Sequence, residues 1–97
     1  MHPKQRRKEK KNLRLWKSQQ LVKQKNKCYY CKCKLDITTY YPGEILPPDA
    51  MTIDHVLPRW RGGKNEKSNM VLACFSCNNE KGGKTLIELE SDRVGLN

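Results

Sequence analysis

Two cysteine pairs of identical spacing constrain this 97-residue chain more than any other feature of its sequence. Cys28 and Cys31 enclose two residues, as do Cys74 and Cys77, and 42 residues lie between the two pairs. Two thiolates from one tight turn can bind the same ion, and two such turns complete a tetrahedral all-sulfur site that suits Zn²⁺. The spacing therefore predicts a structural zinc site, closed because four protein ligands leave no position for a substrate.

The cysteine pattern is also compatible with two arrangements that contain no zinc. The cysteines could form two unrelated buried pairs, or one CxxC motif could be redox-active. A redox motif would not need a second copy, however, and no βαβ pattern typical of thioredoxin surrounds either pair. Cys33 lies outside the quartet and is either a spare surface thiol or a ligand that exchanges with Cys31.

Positive charge is concentrated in the first third of the chain. Residues 1–34 carry 13 Lys or Arg and a single acid, Glu9, whereas residues 35–97 carry seven basic and nine acidic residues. A basic arm joined to a nearly neutral remainder predicts a polyanionic partner, with nucleic acid as the first candidate and an anionic membrane surface as the second. The alternative is a solvated arm that only aids solubility.

The length predicts one domain, which at this size commonly needs a staple such as a metal. There is no run of 18 apolar residues to span a membrane, and the first residues lead into charge rather than into the apolar stretch of a signal peptide. We therefore expect a cytoplasmic location, in which cysteines remain thiols or bind metal.

Local patterns predict a helix over residues 5–25, with Leu13, Trp16 and Leu21 on its packed face and Leu15 and Val22 at the edge of that face. Strands are expected at 51–56 and 70–73, followed by a helical turn at 75–81 that Gly82 and Gly83 would end. A last short helix is expected around residues 86–89. Residues 37–50 and 58–65 contain Pro and Gly and are expected to be loops.

The residues Asp54, His55, Asn69 and Asn78 offer the chemistry that phosphodiester hydrolysis needs. A neutral His55 imidazole can take a proton from water near neutral pH. The oxygens of Asp54 and Asn78 suit a hard divalent cation, which neutralises phosphate and stabilises the leaving 3′ oxygen. Asn69 could orient His55. Taken singly, Asp54 and His55 could be a local pair, and Asn69 could cap a turn.

Taken in order, these residues resemble the zinc-bearing form of the HNH endonuclease family. The resemblance covers residues 28–82 and rests on Asp54-His55-Val56-Leu57-Pro58, Gly62-Gly63, Asn69 and Cys74-x2-Cys77-Asn78-x2-Lys81-Gly82. It implies an α+β fold of the small ββα-metal (His-Me finger) class, with two antiparallel strands and a helix around one divalent ion.

The resemblance also implies a role for each site residue. His55 matches the general base, Asp54 the acidic metal ligand, and Asn69 the asparagine that braces the loop and orients the base. Asn78 stands where many members have a second metal-binding His. Because an amide oxygen is a harder ligand than an imidazole, Mg²⁺ or Mn²⁺ is the expected catalytic metal.

On this basis the chain divides into a basic N-terminal helix or arm, residues 1–26, and a nuclease domain, residues 27–97. The candidate nucleic-acid contacts are Arg6, Arg7, Lys10, Lys11, Arg14, Arg59, Arg61 and Lys81. Lys81 could equally be a solvated helical lysine, and Arg59 and Arg61 could merely decorate a solvated loop.

The expected function is a metal-dependent endonuclease that nicks or cuts double-stranded DNA. The alternative is a non-catalytic zinc-stapled module that binds nucleic acid, or an accessory subunit of a larger machine such as a phage terminase that packages DNA. Small proteins of this form are similar to those of bacteriophages and mobile elements, so a phage-encoded chain would act in the host cytoplasm. Asp54, His55 and Asn78 favour the enzyme, because a binding module has no need to arrange them.

Overall fold

Along the chain, a long N-terminal helix is followed by a two-stranded antiparallel sheet and then by a short C-terminal helix. The computed structural model describes residues 3–64, 66–85 and 88, and for residues 3–11 and 59 it describes the backbone alone. The elements are helix α1 (Pro3–Lys23), strand β1 (Met51–His55), strand β2 (Met70–Cys74) and helix α2 (Phe75–Lys81), with single 3-10 turns at Arg59–Arg61 and Lys67–Asn69. The expected α+β class and the strand–strand–helix order of a ββα-metal unit are confirmed.

Helix α1 packs the face that its periodicity predicted. Trp16 is buried in the core, and Leu13 and Leu21 pack against that core. Leu15 and Val22, expected at the edge of the face, remain 59% and 77% exposed. Trp16 is thus a packing residue, and α1 shares one core with the rest of the chain. The division at residue 26 stays a prediction.

Helix α1 ends two residues earlier than expected because the chain turns left-handed. Lys25 and Asn26 adopt φ values of 55° and 60°. Their amides donate to the carbonyls of Val22 and Leu21, at 3.1 and 2.9 Å. These two bonds are those of a Schellman motif, which satisfies carbonyls at the end of a helix and stops it.

The sheet places the chemistry-bearing end of β1 against β2. Met51 lies opposite Cys74, and His55 lies opposite Met70. All five residues of β2 are buried, whereas in β1 only Asp54 is buried. The buried core residues around β2 are Trp16, Cys28, Leu35, Met70, Leu72, Ala73, Cys74 and Cys77. Three of these eight are cysteines of the quartet, so the expected metal ligands supply a large share of the core.

One side chain seals the free edge of β2. The Gln24 amide accepts from the backbone N–H of Leu72 at 3.0 Å and donates to its carbonyl at 2.8 Å. It therefore satisfies both backbone groups of Leu72, as a neighbouring strand would.

The predicted strands and the turn at 75–81 are confirmed to within one residue. Helix α2 ends where Gly82 adopts φ 51° and donates its N–H to the carbonyl of Asn78. Of the short helix expected around residues 86–89 only Glu88 is described, and it is helical; the bounds of that helix stay a prediction. No helix in the described part of the chain is both long and apolar enough to cross a membrane.

Candidate functional site

Four cysteine side chains converge where the segment after α1 meets the junction of β2 and α2. The sulfur atoms of Cys28, Cys31, Cys74 and Cys77 all lie within 4.8 Å of one another. Cys28, Cys74 and Cys77 are buried, and Cys31 is exposed. This grouping confirms the predicted quartet and is compatible with a structural zinc site, in which four thiolates surround the ion tetrahedrally.

The first pair of cysteines is held by a tight hairpin. The Cys28 N–H donates to the carbonyl of Cys33 at 2.8 Å, and the Lys32 N–H donates to the carbonyl of Cys28 at 3.1 Å. Lys32 reverses the chain with φ 65°. The Tyr30 N–H points to Cys28 Sγ at 3.4 Å. We call residues 28–33 the knuckle.

The second pair sits where β2 becomes α2. Cys74 is the last residue of β2 and also the N-cap of α2, and its Sγ accepts from the N–H of Cys77 at 3.4 Å. The N–H of Cys74 in turn donates to Cys28 Sγ at 3.3 Å. Backbone donors aimed at sulfur favour thiolates, so the local folding of both segments prepares the cluster for a cation.

The sulfur atoms shift one another's pKa values. Burial, the largest influence, raises the pKa of Cys74 to about 12. At Cys31 burial acts in the same direction, but hydrogen bonds from the Cys33 N–H and from the neighbouring thiols of Cys33, Cys77 and Cys28 outweigh it and lower the pKa to about 6. Four sulfur atoms that converge, one of which forms a thiolate readily, are a donor set that suits a zinc ion. Once bound, the ion would ionise the remaining thiols.

A second polar arrangement runs along the contact between β1 and α2, which we call the β1–α2 seam. The Asn78 Nδ2 donates to Thr52 Oγ1 at 3.0 Å and to the carbonyl of Ile53 at 3.3 Å. One helical turn later, the Lys81 Nζ donates to the carbonyl of His55 at 2.9 Å. Residues i and i+3 share a helix face, so Asn78 and Lys81 together fix α2 along the last residues of β1.

Asp54 lies at the centre of the seam. Its Oδ2 is 3.2 Å from the Lys81 Nζ, and the two side chains are 7% and 1% exposed. The same oxygen accepts a short hydrogen bond from the Tyr30 hydroxyl. Burial, followed by this hydrogen bond, raises the pKa of Tyr30 far above its usual value, so the phenol remains a proton donor. The buried carboxylate is thereby both paired and hydrogen-bonded.

His55 and Asn69 both lie next to the loop that follows β1. His55, the last residue of β1, is half-buried. The Asn69 side chain accepts from the N–H of Leu57 at 2.9 Å and donates to the carbonyls of Leu57 and Lys64, both at 3.0 Å. The Asn69 carbonyl also accepts from the N–H of Val56 at 2.9 Å. Asn69 thus connects both ends of the loop that begins beside His55, while its catalytic role stays a prediction.

The candidate nucleic-acid contacts are placed unevenly. Arg14 is exposed on α1. Arg61 stacks on the Trp60 ring, with Cζ 4.4 Å from the ring centroid, and pairs with Glu88 at 2.6 Å. The side chains of Arg6, Arg7, Lys10, Lys11 and Arg59 lie outside the described residues.

Lys81 requires a correction. The sequence left open a phosphate contact or a solvated helical lysine, but the side chain is buried and its ammonium contacts Asp54 and the carbonyl of His55. A buried ammonium that is already paired does not reach a phosphate at the surface. Its contacts make it part of the β1–α2 seam.

Sequence reasoning gave no role to Tyr30, although the Tyr30 hydroxyl contacts a candidate metal ligand. The tyrosine lies 24 residues before Asp54, and nothing in the local pattern connects them. One signal was available, which is that Tyr30 lies between the two cysteines of the first CxxC motif. When the two cysteine pairs converge, this tyrosine is brought close to β1.

Comparison with protein families gives a match over most of the described fold. Residues 28–84 match the family model described as HNH endonuclease, a segment that makes up more than half of the chain. The segment begins at the first cysteine of the quartet and includes β1, β2 and α2. A comparison with curated proteins found no match.

Proposed function

This chain belongs to the HNH endonuclease family, and from that membership we propose that it is a metal-dependent DNA endonuclease with His55 as the general base. The observation that supports the proposal is that Asp54, Asn78 and the backbone carbonyl of His55 all lie at the β1–α2 seam, inside the matched segment. A carboxylate, an imidazole and an amide carried by the residues of this region suit the hydrolysis of a phosphodiester.

His55 would accept the proton of the attacking water. A positioned general base typically contributes about 10²–10⁴-fold to a rate. The Asn69 brace on the following loop and the Lys81 bond to the His55 carbonyl both support the backbone that carries the imidazole. Attack of water on phosphorus would leave 5′-phosphate and 3′-hydroxyl ends.

Asp54 and Asn78 would hold the catalytic cation, for which we propose Mg²⁺ or Mn²⁺. Asn78 directs its Nδ2 to β1, so its Oδ1 is the atom left to bind a cation. Asp54 uses Oδ2 for Tyr30 and Lys81, so Oδ1 is the corresponding atom there. Two hard oxygens agree with the preference of these ions. When bound, the cation would neutralise the phosphate and stabilise the leaving oxygen.

The four-cysteine cluster would hold a structural zinc ion with no part in the reaction. Four sulfur ligands leave no open coordination position for water or substrate. The cluster joins the knuckle to the start of α2, so it would hold the two segments that carry Tyr30 and Asn78.

Double-stranded DNA is the proposed substrate, with the basic arm as its main phosphate contact. The arm would grip the backbone without reading sequence, because lysines and arginines on phosphates carry no base information. One candidate site per chain leads us to propose nicking by a single copy. We also propose that the protein is encoded by a phage and acts in the host cytoplasm, either alone or together with a terminase.

One observation favours the second candidate, a non-catalytic zinc-stapled module that binds nucleic acid. Lys81 already balances the charge of Asp54. A cation at the same carboxylate would have to share it with an ammonium group, and a binding module needs no such cation.

A nicking assay separates the two candidates. Zinc-loaded protein is incubated with supercoiled plasmid in Mg²⁺, in Mn²⁺, or without an added divalent cation, beside His55→Ala. We expect metal-dependent nicking that falls by about 10² or more in the variant. The matched control is His2→Ala, which removes the other histidine of the chain and should leave the rate unchanged.

Binding must be measured with cleavage. If folded, zinc-bound protein retards DNA in a gel but never nicks it, the chain is a binding module or an accessory subunit. If His55→Ala nicks at the rate of the parent chain, another group is the base.

A further inference from the structure

The knuckle delivers a neutral hydrogen-bond donor to the candidate metal ligand. Tyr30 is enclosed by Cys28 and Cys31, and its hydroxyl donates to Asp54 Oδ2, the oxygen that also faces Lys81. Tyr30 packs against the same core that contains the cysteines. One oxygen of Asp54 is therefore held by two donors from different segments of the chain.

We propose that Tyr30 is a positioning residue that sets the affinity of Asp54 for the catalytic cation. The proposal rests on the proposed function. Ligating carboxylates are typically held by outer hydrogen bonds, and loss of such a partner typically costs about 10–100-fold in metal affinity or activity. Because Tyr30 and Lys81 both contact Oδ2, Oδ1 would be the atom that binds the cation.

The chemistry of the donor explains why a phenol suits this position. Lys81 already contributes one positive charge beside Asp54. A second cationic side chain would repel a divalent ion, whereas a hydroxyl adds a hydrogen bond and no charge. Tyr30 and Lys81 share Oδ2, so the phenol adds to the contacts of this oxygen without adding charge.

The Tyr30 ring is packed against its neighbour in the knuckle. Tyr29 contacts it edge-on, with ring centroids 5.2 Å apart and planes at 88°. The Tyr29 N–H donates to the carbonyl of Leu72 at 3.0 Å, and Leu72 pairs with Ile53, the neighbour of Asp54. The cysteine cluster thus has a second task, which is to fix the phenol against β1.

The test compares Tyr30→Phe with Tyr29→Phe in the full zinc-loaded chain. Each substitution removes one hydroxyl from adjacent rings, but only the Tyr30 hydroxyl contacts Asp54. Mn²⁺ binding is measured by calorimetry, and nicking is measured as a function of Mn²⁺ concentration. We expect Tyr30→Phe to raise both the Mn²⁺ dissociation constant and the half-saturating Mn²⁺ concentration by about 10-fold or more, with zinc content unchanged. Tyr29→Phe should stay within about twofold of the parent chain.

The outcomes separate this proposal from the proposed function. If the parent chain binds Mn²⁺ and nicks, and folded Tyr30→Phe binds Mn²⁺ equally well, the positioning role is refuted while the nuclease stands. If the parent chain neither binds Mn²⁺ nor nicks, the proposed function fails and this role fails with it. Should Tyr30→Phe not fold, Mg²⁺ is added to a chain in which Tyr29, Tyr40 and Tyr41 are all replaced by Phe, so that Tyr30 is the one tyrosine left; a tyrosine difference band in the ultraviolet is expected and its absence refutes the role.

Discussion

The buried ion pair between Lys81 and Asp54 permits a stability prediction that does not depend on catalysis. Lys81→Met keeps most of the apolar stem of the side chain and removes its ammonium group. The lysine side chain is 1% exposed, and its ammonium lies 3.2 Å from Asp54 Oδ2 and donates to the carbonyl of His55. The substitution therefore leaves a buried carboxylate with Tyr30 as its remaining donor among these contacts.

The expected loss is large for a chain of this size. Removing one partner of a buried pair typically costs about 3–5 kcal/mol, against a total domain stability of about 5–15 kcal/mol. Lys67, exposed in the turn before β2, provides the matched control, and Lys67→Met should change the free energy of unfolding by less than about 0.5 kcal/mol.

The assay is urea unfolding at fixed free zinc, followed by circular dichroism and analysed for the free energy of unfolding in water. The double variant Asp54→Asn, Lys81→Met should be more stable than Lys81→Met alone, because no unpaired charge is left in the interior. A loss below about 1 kcal/mol for Lys81→Met, or a double variant less stable than the single one, would refute the assignment of a buried, coupled pair.

Two further predictions test the cluster and the arm. Cys74→Ser should prevent stable folding, because the apparent free energy of zinc binding, about 10–16 kcal/mol, matches or exceeds the stability of a whole domain. A variant that is folded by circular dichroism and zinc-free by metal analysis would contradict the structural role. Deleting residues 1–12, which carry six basic residues and one acid, should weaken DNA binding and flatten its salt dependence, with each lost phosphate contact changing the slope of log K against log salt by about 0.9. An unchanged slope in gel-shift titrations would mean that the arm does not contact DNA.

Local sequence patterns were enough to predict the elements that position the site. The apolar run of β2 and the glycines after α2 predicted their bounds closely, because both are local signals. The quartet was predictable since four ligands of one ion must converge wherever they lie in the chain. The end of α1 was missed by two residues, because the left-handed turn begins at Lys25, a residue type that seldom adopts positive φ.

Contacts between distant side chains were not predictable. Gln24 sealing the edge of β2 at Leu72 joins residues 48 positions apart. Tyr30 reaching Asp54 depends on how the knuckle docks on β1. Lys81 could not be recognised as buried, because a lysine near a helix end is ordinarily solvated. Each of these contacts is a property of the packed fold and leaves no periodic or spacing signal.

The order of the cysteines along the chain has a consequence for its synthesis. Cys31 is synthesised 43 residues before Cys74, and Cys28 46 residues before it; 43 residues take about 2–9 s at about 5–20 residues per second. In that interval two thiols exist without their partners, and β2 and α2 have not been made. The nascent chain therefore has neither a complete cysteine cluster nor Asn78, so the proposed cleavage site can form only after the last cysteine ligand has been synthesised.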